Sequence, residues 1–355
     1  MSRDQTAVVL FNLGGPDDLA SVEPFLVNLF SDREIIELPF GAALQPIFAR
    51  AIAKVRGPSV RRNYERIGGG SPQLSITVAQ AMALEQQLNA SSTGSPAFRV
   101  YVAMRYSQPT SEDALELIAA AGIKRIVTLT LFPQYSKATT GSSRREFDRI
   151  LSRPVWKAMG FEITHIDRYP DHEGYLDAMA EHVIEAWNRI PRNARPATTL
   201  LFSAHGLPQK FIDEGDPYVR EIQATRDGIL DRIKLPCRNV LAYQSRTGPV
   251  KWIGPGTEEM LEELGREGVA NVLVVPLSFV SDHIETLYEV DMLFRDVAVK
   301  AGITGYWRTE ALNTSPRFIA ALAELIADHL DDGACVCEGC GACDGRSRAI
   351  AGASV

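Results

Sequence analysis

Two similar α/β domains, each a parallel sheet flanked by helices in the doubly wound, Rossmann-like manner, are what this sequence predicts. Three observations carry that prediction. Short apolar runs rich in β-branched residues alternate with amphipathic helical patterns along most of the chain. Residues 111–127 find a counterpart at 257–273, a constant offset of 146. And 355 residues are too many for one comfortable core, so two domains are expected.

The strand candidates, in order, are "AVVLFNL" (7–13), "FRVYVAM" (98–104), "RIVTLTLF" (125–132), "FEITHIDRY" (161–169), "TTLLFSAH" (198–205), "NVLAYQS" (239–245) and "NVLVVPLSF" (271–279). Most are apolar without interruption, the pattern of strands covered by helices on both faces. Between them, "SEDALELIAAAG" and "TEEMLEELGREG" read as helices closing at a glycine suited to a left-handed cap. Such alternation favours right-handed βαβ units. Within the repeat Glu112 aligns with Glu258, Leu115 with Leu261, Ile118 with Leu264, Gly122 with Gly268 and Ile126 with Val272. Upstream, "LFNLGG" (10–15) lies against "LFSAHG" (201–206), which sets His205 where the first half has Gly14.

Two halves with a cleft between them follow. A first domain over 1–165 carries an insertion at 39–80, and a second covers 166–312. A last helix within 313–332 crosses back onto the first domain, and 333–355 is a cysteine-rich tail. The insertion mixes Phe40, Leu44, Ile47 and Phe48 with Arg50, Lys54, Arg56, Arg61 and Arg62. Over a ligand crevice it would form a greasy lip edged with arginines; elsewhere it would be a packed surface helix with solvated charges.

Composition excludes some classes of function. A net charge of −7 argues against nucleic acid, whose phosphates need a basic face. No uncharged run approaches the ~18 residues that span a bilayer. The opening "MSRDQTAVVLFNLGGP" reads as a first strand and not a signal peptide, so a cytoplasmic location is expected. Cys237 stands alone, whereas Cys335, Cys337, Cys340 and Cys343 form C-x-C-x2-C-x2-C. Thiols clustered in this way read as metal ligands, and zinc or an iron–sulfur cluster would suit four sulfurs.

Sheets of this kind bind ligands beyond the carboxyl ends of their strands. The residues there are Asn12 to Gly14, Arg105 and Tyr106, Gln134 to Ser136, Ser203 to Gly206, Gln244 to Arg246, and Phe279. His205, with an ordinary pKa near ~6.5, is a base, a neutral metal ligand or a loop-capping imidazole. In "PLSFVSDHIETLYEVD" (276–291), Asp282 and Glu285 have the spacing of a capping box. Capping leaves Glu289 and Asp291 unexplained. Glu285 and Glu289, four apart, repel each other by roughly a few tenths of a kcal/mol, a cost carried more readily where a cation or proton passes. A histidine facing a carboxylate would make an open, weak divalent site. The glycine-rich "NLGGP" and "IGGGSP" lack nucleotide-binding spacing.

Seven segments, "LFNLGGP", "RRNYERIGGGSP", "MRYSQP", "LTLFPQYSKATTGSS", "LLFSAHGLP", "AYQSRTGPVKWIGP" and "VPLSFVSDHIETLYEVD", together resemble the ferrochelatase family over about residues 7 to 330. That family inserts ferrous iron into a porphyrin to make haem. The resemblance implies a chelatase-like fold with the porphyrin in the cleft between two α/β domains. It implies that His205 and Glu285 face each other across the macrocycle in metal binding and pyrrole proton removal, with His283 in the same motif and Glu289 continuing an acidic path. Leu13, Arg105, Tyr106, Tyr135, Trp252 and Phe279 match porphyrin-pocket positions, Leu13 standing where some relatives carry methionine. Arg56, Tyr64 and Ser71 match the lip that meets propionate groups. The tail resembles one holding a two-iron two-sulfur (2Fe-2S) cluster. Lys137 takes the place of one cysteine ligand of the animal enzymes, so Cys335, Cys337, Cys340 and Cys343 suffice by count, with Cys237 as the substitute. The implied activity is a lyase forming protohaem from protoporphyrin IX, with peripheral contact between the lip and a bilayer. The rivals are a chelatase for coproporphyrin or for cobalt and a precorrin-type ring, and a non-catalytic tetrapyrrole or metal carrier.

Overall fold

The structure is a computed structural model that describes residues 5–36, 41–90, 97–246, 248 and 250–331. Phe40 and the cysteines from 335 to 343 lie outside the described residues. The first half runs β1 (Thr6–Asn12), α1 (Val22–Ser31), α2 (Gln45–Arg66), α3 (Gln73–Asn89), β2 (Phe98–Met104), α4 (Ser111–Ala120), β3 (Arg125–Thr130), α5 (Ser142–Leu151), α6 (Pro154–Lys157) and β4 (Glu162–Ile166). There follow α7 (Glu173–Arg189), β5 (Thr198–His205), α8 (Gln209–Asp213), α9 (Tyr218–Ile233), β6 (Asn239–Gln244), α10 (Thr257–Arg266), β7 (Asn271–Pro276), α11 (Arg295–Lys300), β8 (Gly305–Arg308) and α12 (Pro316–Asp331).

All described strand pairings within the sheets are parallel. They build two four-stranded sheets of equivalent order, β2-β1-β3-β4 and β6-β5-β7-β8. In the first sheet Thr6 lies opposite Arg125, and in the second Thr198 lies opposite Asn271, so the 111–127 and 257–273 repeat is kept in register. The central strands, however, match one residue away from the sequence alignment and set His205 against Leu13 instead of Gly14. α4 and α10 end alike. Gly122 and Gly268 take positive φ, and the next amide reaches back five residues, Ile123 to Ile118 and Val269 to Leu264. This is the Schellman closure that a glycine makes inexpensive.

Alternate residues of the central strands serve two cores. Val8 and Leu10 join Leu200, Phe202 and residues of α3, α7, α9 and α12 in one large core shared by both sheets. Ala7, Val9 and Phe11 face α4, α5 and α6, while Leu201, Val272 and Val274 face α10 and α11. α12 packs on α3 and α7 with Phe318 and Leu322 fully buried; truncating such a phenylalanine costs about 3–5 kcal/mol.

Three features differ from the sequence reading. β8 is an additional strand of four residues. β7 stops at Pro276, which releases residues 277–284 as a loop. Third, both halves resume after their third strand with a π-helical segment, Lys137–Gly141 in the first and the longer Glu285–Phe294 in the second. The insertion folds as α2 leading towards α3. With α1 it encloses Phe25, Phe30, Ala49, Tyr64 and Tyr106, and Leu13 and Ile284 pack against this cluster. No helix among the described residues is long and apolar enough to cross a membrane.

Candidate active site

His205 is the last residue of β5, and its backbone is fastened on both sides. Its amide donates to Ser278 Oγ at 2.8 Å, and its carbonyl accepts from the Tyr218 hydroxyl at 3.0 Å. From this mount its Nδ1 meets Glu285 Oε2 at 2.9 Å. The same carboxylate oxygen accepts from Ser245 Oγ at 2.8 Å and Gln244 Nε2 at 3.1 Å, both at the end of neighbouring β6. Ser245 Oγ also contacts Glu289. To place its hydroxyl there, Ser245 adopts φ +62°, a left-handed backbone that side-chain-bearing residues adopt at a cost.

The electrostatics sort these acids. Burial pushes the Glu285 carboxyl upward, but His205, His283 and Ser245 outweigh it and hold the group at about 2. Glu289 is pushed up to about 8, first by burial and then by the charge of Glu285. Burial pulls His205 down, and Glu285 more than compensates, leaving the imidazole above its ordinary value. Near neutral pH the arrangement is an ionised Glu285 beside a protonated Glu289, two carboxyl groups driven apart by their surroundings.

Phe279 touches both nearby imidazoles, its ring centroid 5.8 Å from His205 and 4.1 Å from His283. His283 is buried. Its Nδ1 lies 3.1 Å from the Ser281 carbonyl, so Nδ1–H is the donor and Nε2 keeps a lone pair. That Nε2 meets no hydrogen-bond partner among the described residues, and burial lowers the pKa of the ring. The capping box expected of Asp282 and Glu285 does not form. Glu285 is taken by His205, and Asp282 bonds Arg308 and Asn313.

Arg105 and Tyr106, at the end of β2, are gathered by a residue the sequence reading passed over. Asp32 Oδ2 accepts from Arg105 Nη2 at 2.8 Å, from the Tyr106 hydroxyl at 2.6 Å and from Ser142 Oγ. Arg105 Nε donates to Ser142 Oγ at 2.7 Å. Burial raises the Asp32 carboxyl, but Ser142, Tyr106 and Arg105 together leave it lowered.

The remaining candidates lie at several places. Tyr64 and Leu13 share the lip cluster with Tyr106 and Ile284, the residue before Glu285. Ser71 packs where a Cβ on Gly15 would fall 2.6 Å away, and its amide bonds the Pro16 carbonyl at 2.7 Å. Trp252 pairs with Pro208 and lies 3.5 Å from the place of a Cβ on Gly206, next to His205. Arg56 is on the exposed side of α2 over the Phe30 ring, at 5.8 Å. Tyr135 is on the seam, its amide on Glu221 and its ring under Arg168 at 4.6 Å. Lys137 pairs with Glu214 and lies 4.0 Å from the Phe211 ring centroid. Cys237 is a half-buried free thiol whose pKa burial raises. No group of three or more His, Cys, Asp and Glu side chains converges as a metal cage among the described residues.

Asp32 and Ser142 are therefore additions to the site, whereas Gln244 and Ser245 stand where the sequence reading had set strand-end candidates. Gln244 and Ser245 had a usable signal, their position at a strand end. Asp32 had none, since its partner Arg105 lies 73 residues away.

The ferrochelatase family model matches residues 5–330 of the chain. A relative named ferrochelatase from Geotalea daltonii is 50% identical over 326 residues, spanning 91% of this chain and 97% of its own length. Another so named, from a Synechocystis strain, is 45% identical over 336 residues, 94% of this chain and 85% of its own. Among solved structures, SirB from Bacillus subtilis with Fe3+ superposes with a TM-score of 0.53 at 11% identity, covering 93% of this chain and 98% of that one. The sirohydrochlorin chelatase SirB from Bacillus subtilis subspecies spizizenii, in complex with cobalt, gives 0.50 at 12%, covering 92% and 96%. At such identity these structures share the fold.

Proposed function

The chain belongs to the ferrochelatase family, and we propose from the geometry of its cleft that it is a lyase inserting ferrous iron into protoporphyrin IX to form protohaem. Two pyrrole N–H bonds break, four iron–nitrogen bonds form, two protons leave, and the iron stays ferrous. The observation that carries this reading is the His205–Glu285 contact of 2.9 Å at the mouth of the second sheet, with side chains 30% and 15% exposed.

With Glu285 ionised, the imidazole donates Nδ1–H to it and turns the Nε2 lone pair towards substrate. A pyrrole proton taken at Nε2 makes an imidazolium whose charge the adjacent carboxylate balances, the usual division of labour in a general-base pair. Ser245 and Glu289 lead the proton onward, and the buried His283 backs the site through the Phe279 ring. A flat macrocycle keeps its lone pairs in plane, so a cleft that binds a bent ring better than a flat one lowers the barrier by differential binding. Arg105 and Tyr106 form the facing wall. The basic side of α2, with Arg56, answers the propionates, and the exposed Leu44 and Ile47 support contact with a membrane surface from the cytoplasm.

Anaerobic mixing of the protein with ferrous iron and protoporphyrin IX, followed by visible spectroscopy, tests the assignment. Wild type should give the haem spectrum, and His205→Ala should bind porphyrin without metallating it; near-normal turnover by that variant would overturn the assignment.

For the tail, the reading is that Cys335, Cys337, Cys340 and Cys343 hold a two-iron two-sulfur cluster, since four thiolates are its donor set. Protein purified without oxygen should carry iron and sulfide in equal amounts. Stoichiometric zinc without sulfide would refute this.

A further inference from the structure

Asn313, between β8 and α12, touches neither His205 nor Glu285, yet it holds the loop on which His283 and Glu285 are mounted. Its amide donates to the Val280 carbonyl at 2.7 Å. Its side-chain Oδ1 accepts from the Asp282 amide at 3.0 Å, and its Nδ2 donates to Asp282 Oδ2 at 2.9 Å. Its carbonyl accepts from Gln80 Nε2 at 2.7 Å, and Gln80 is a fully buried residue of α3, in the other half. Gln80 Oε1 in turn accepts from Ser281 Oγ at 3.3 Å. The far oxygen of Asp282 receives Arg308 Nη1 at 3.2 Å, while Arg308 grips Asp291 through Nε and Nη2 at 2.8 and 2.9 Å. Val280, Ser281 and Asp282 are thus each tied from outside the loop.

The identity of the residue follows from these demands. Asn313 has φ +41°, a conformation asparagine tolerates better than most residues. Its side chain must accept from a backbone amide and donate to a carboxylate at once, which an amide does and a carboxylate cannot. Glycine would satisfy the backbone and lose both side-chain bonds.

We infer that Asn313 is a positioning residue for metal insertion: it fixes the loop 280–284 and so the placement of the His283 imidazole and the Glu285 carboxylate, while Gln80 sets that loop against the first half of the cleft. Reacting groups tolerate displacements of only about 0.5 Å before rate is lost. The inference rests on the reading of His205 and Glu285 as the insertion site.

The test compares wild type, N313G, N313D and the exchange D282N/N313D in steady-state insertion of ferrous iron into protoporphyrin IX. N313G should lower kcat ten- to a hundredfold and leave the porphyrin KM within twofold. N313D, which sets two carboxylates together, should be at least as impaired. The exchange reverses which partner donates but keeps both bonds, so it should recover kcat to within about fivefold of wild type. Wild-type kcat in N313G, or an exchange no faster than N313D, overturns the inference. If N313G fails to fold, the last two variants decide the matter. Nitrogen NMR of the histidines separates this from the functional reading. Loss of the Nδ1–H form of His283 in N313D supports the positioning role even if wild type inserts no iron, a result that would instead remove the proposed function. An unchanged His283 signal counts against the positioning role.

Discussion

Asp32 and Glu285 are both carboxylates gathered at the mouth of a sheet, one in each half of the molecule. Asp32 is buried and Glu285 half-buried, both accept several hydrogen bonds, and both are held below the usual carboxylate range. They differ in what their partners can give up. The cation on Asp32 is a guanidinium that keeps its proton at any pH the protein meets. The partner of Glu285 is an imidazole, and a second glutamate stands one serine away. The first carboxylate is therefore neutralised by a fixed charge, whereas the second sits among groups that can exchange protons, as the proposed function requires. A depressed carboxyl pKa does not by itself mark a site of proton transfer; whether its partner titrates decides that.

Substitutions in the two places should separate sharply. Glu285→Gln removes the balancing charge and should cut kcat by about a thousandfold, within the range of general acid–base contributions, while porphyrin still quenches protein fluorescence with unchanged affinity. Asp32→Asn should leave the pH dependence of kcat alone and instead raise the porphyrin KM about tenfold. Because Arg105 and Tyr106 lose a charged acceptor, it should also cost about 1.5–3 kcal/mol in urea denaturation. Equal losses of kcat from the two variants would erase the contrast. Ser245→Ala should slow insertion about tenfold at neutral pH, seen in single-turnover traces, since a serine hydroxyl links the two glutamates.

A last comparison concerns stability and its dependence on pH. Glu289 has its folded pKa raised to about 8 from an ordinary value of 4.5, so between those values the folded chain binds more protons than the unfolded one. Stability from this group is then present at low pH and lost as pH rises towards 8. Glu289→Gln should remove that decline, and its Tm advantage over wild type should grow between pH 5.5 and 8.5. A constant difference across that range would refute the assignment.

Legibility in the sequence followed the range of the interaction concerned. Seven of the strands could be read because apolar runs such as 198–205 report local burial, and the two-sheet α/β architecture followed. β8 was hidden because four residues, two of them buried, carry too little pattern. His205 and Glu285 were visible through motif and strand-end position, but both belong to the second half and meet directly at 2.9 Å, so they do not flank the macrocycle from opposite faces as the resemblance implied. Asp282 misled because a capping box is local chemistry, and its acceptors were claimed by Arg308 and Asn313 from across the fold. Asp32, Gln80 and Asn313 gave no sign, since each acts on residues more than 30 positions away.

The backbone of Ser245 is held in place by its own side chain. Its left-handed conformation is dearer for serine than for glycine by about 1 kcal/mol. The hydroxyl offsets that cost, since hydrogen bonds to charged groups are worth about 1.5–3 kcal/mol. Glycine at this codon would relax the chain and still weaken the fold, so selection for durability keeps the same hydroxyl that joins Glu285 to Glu289.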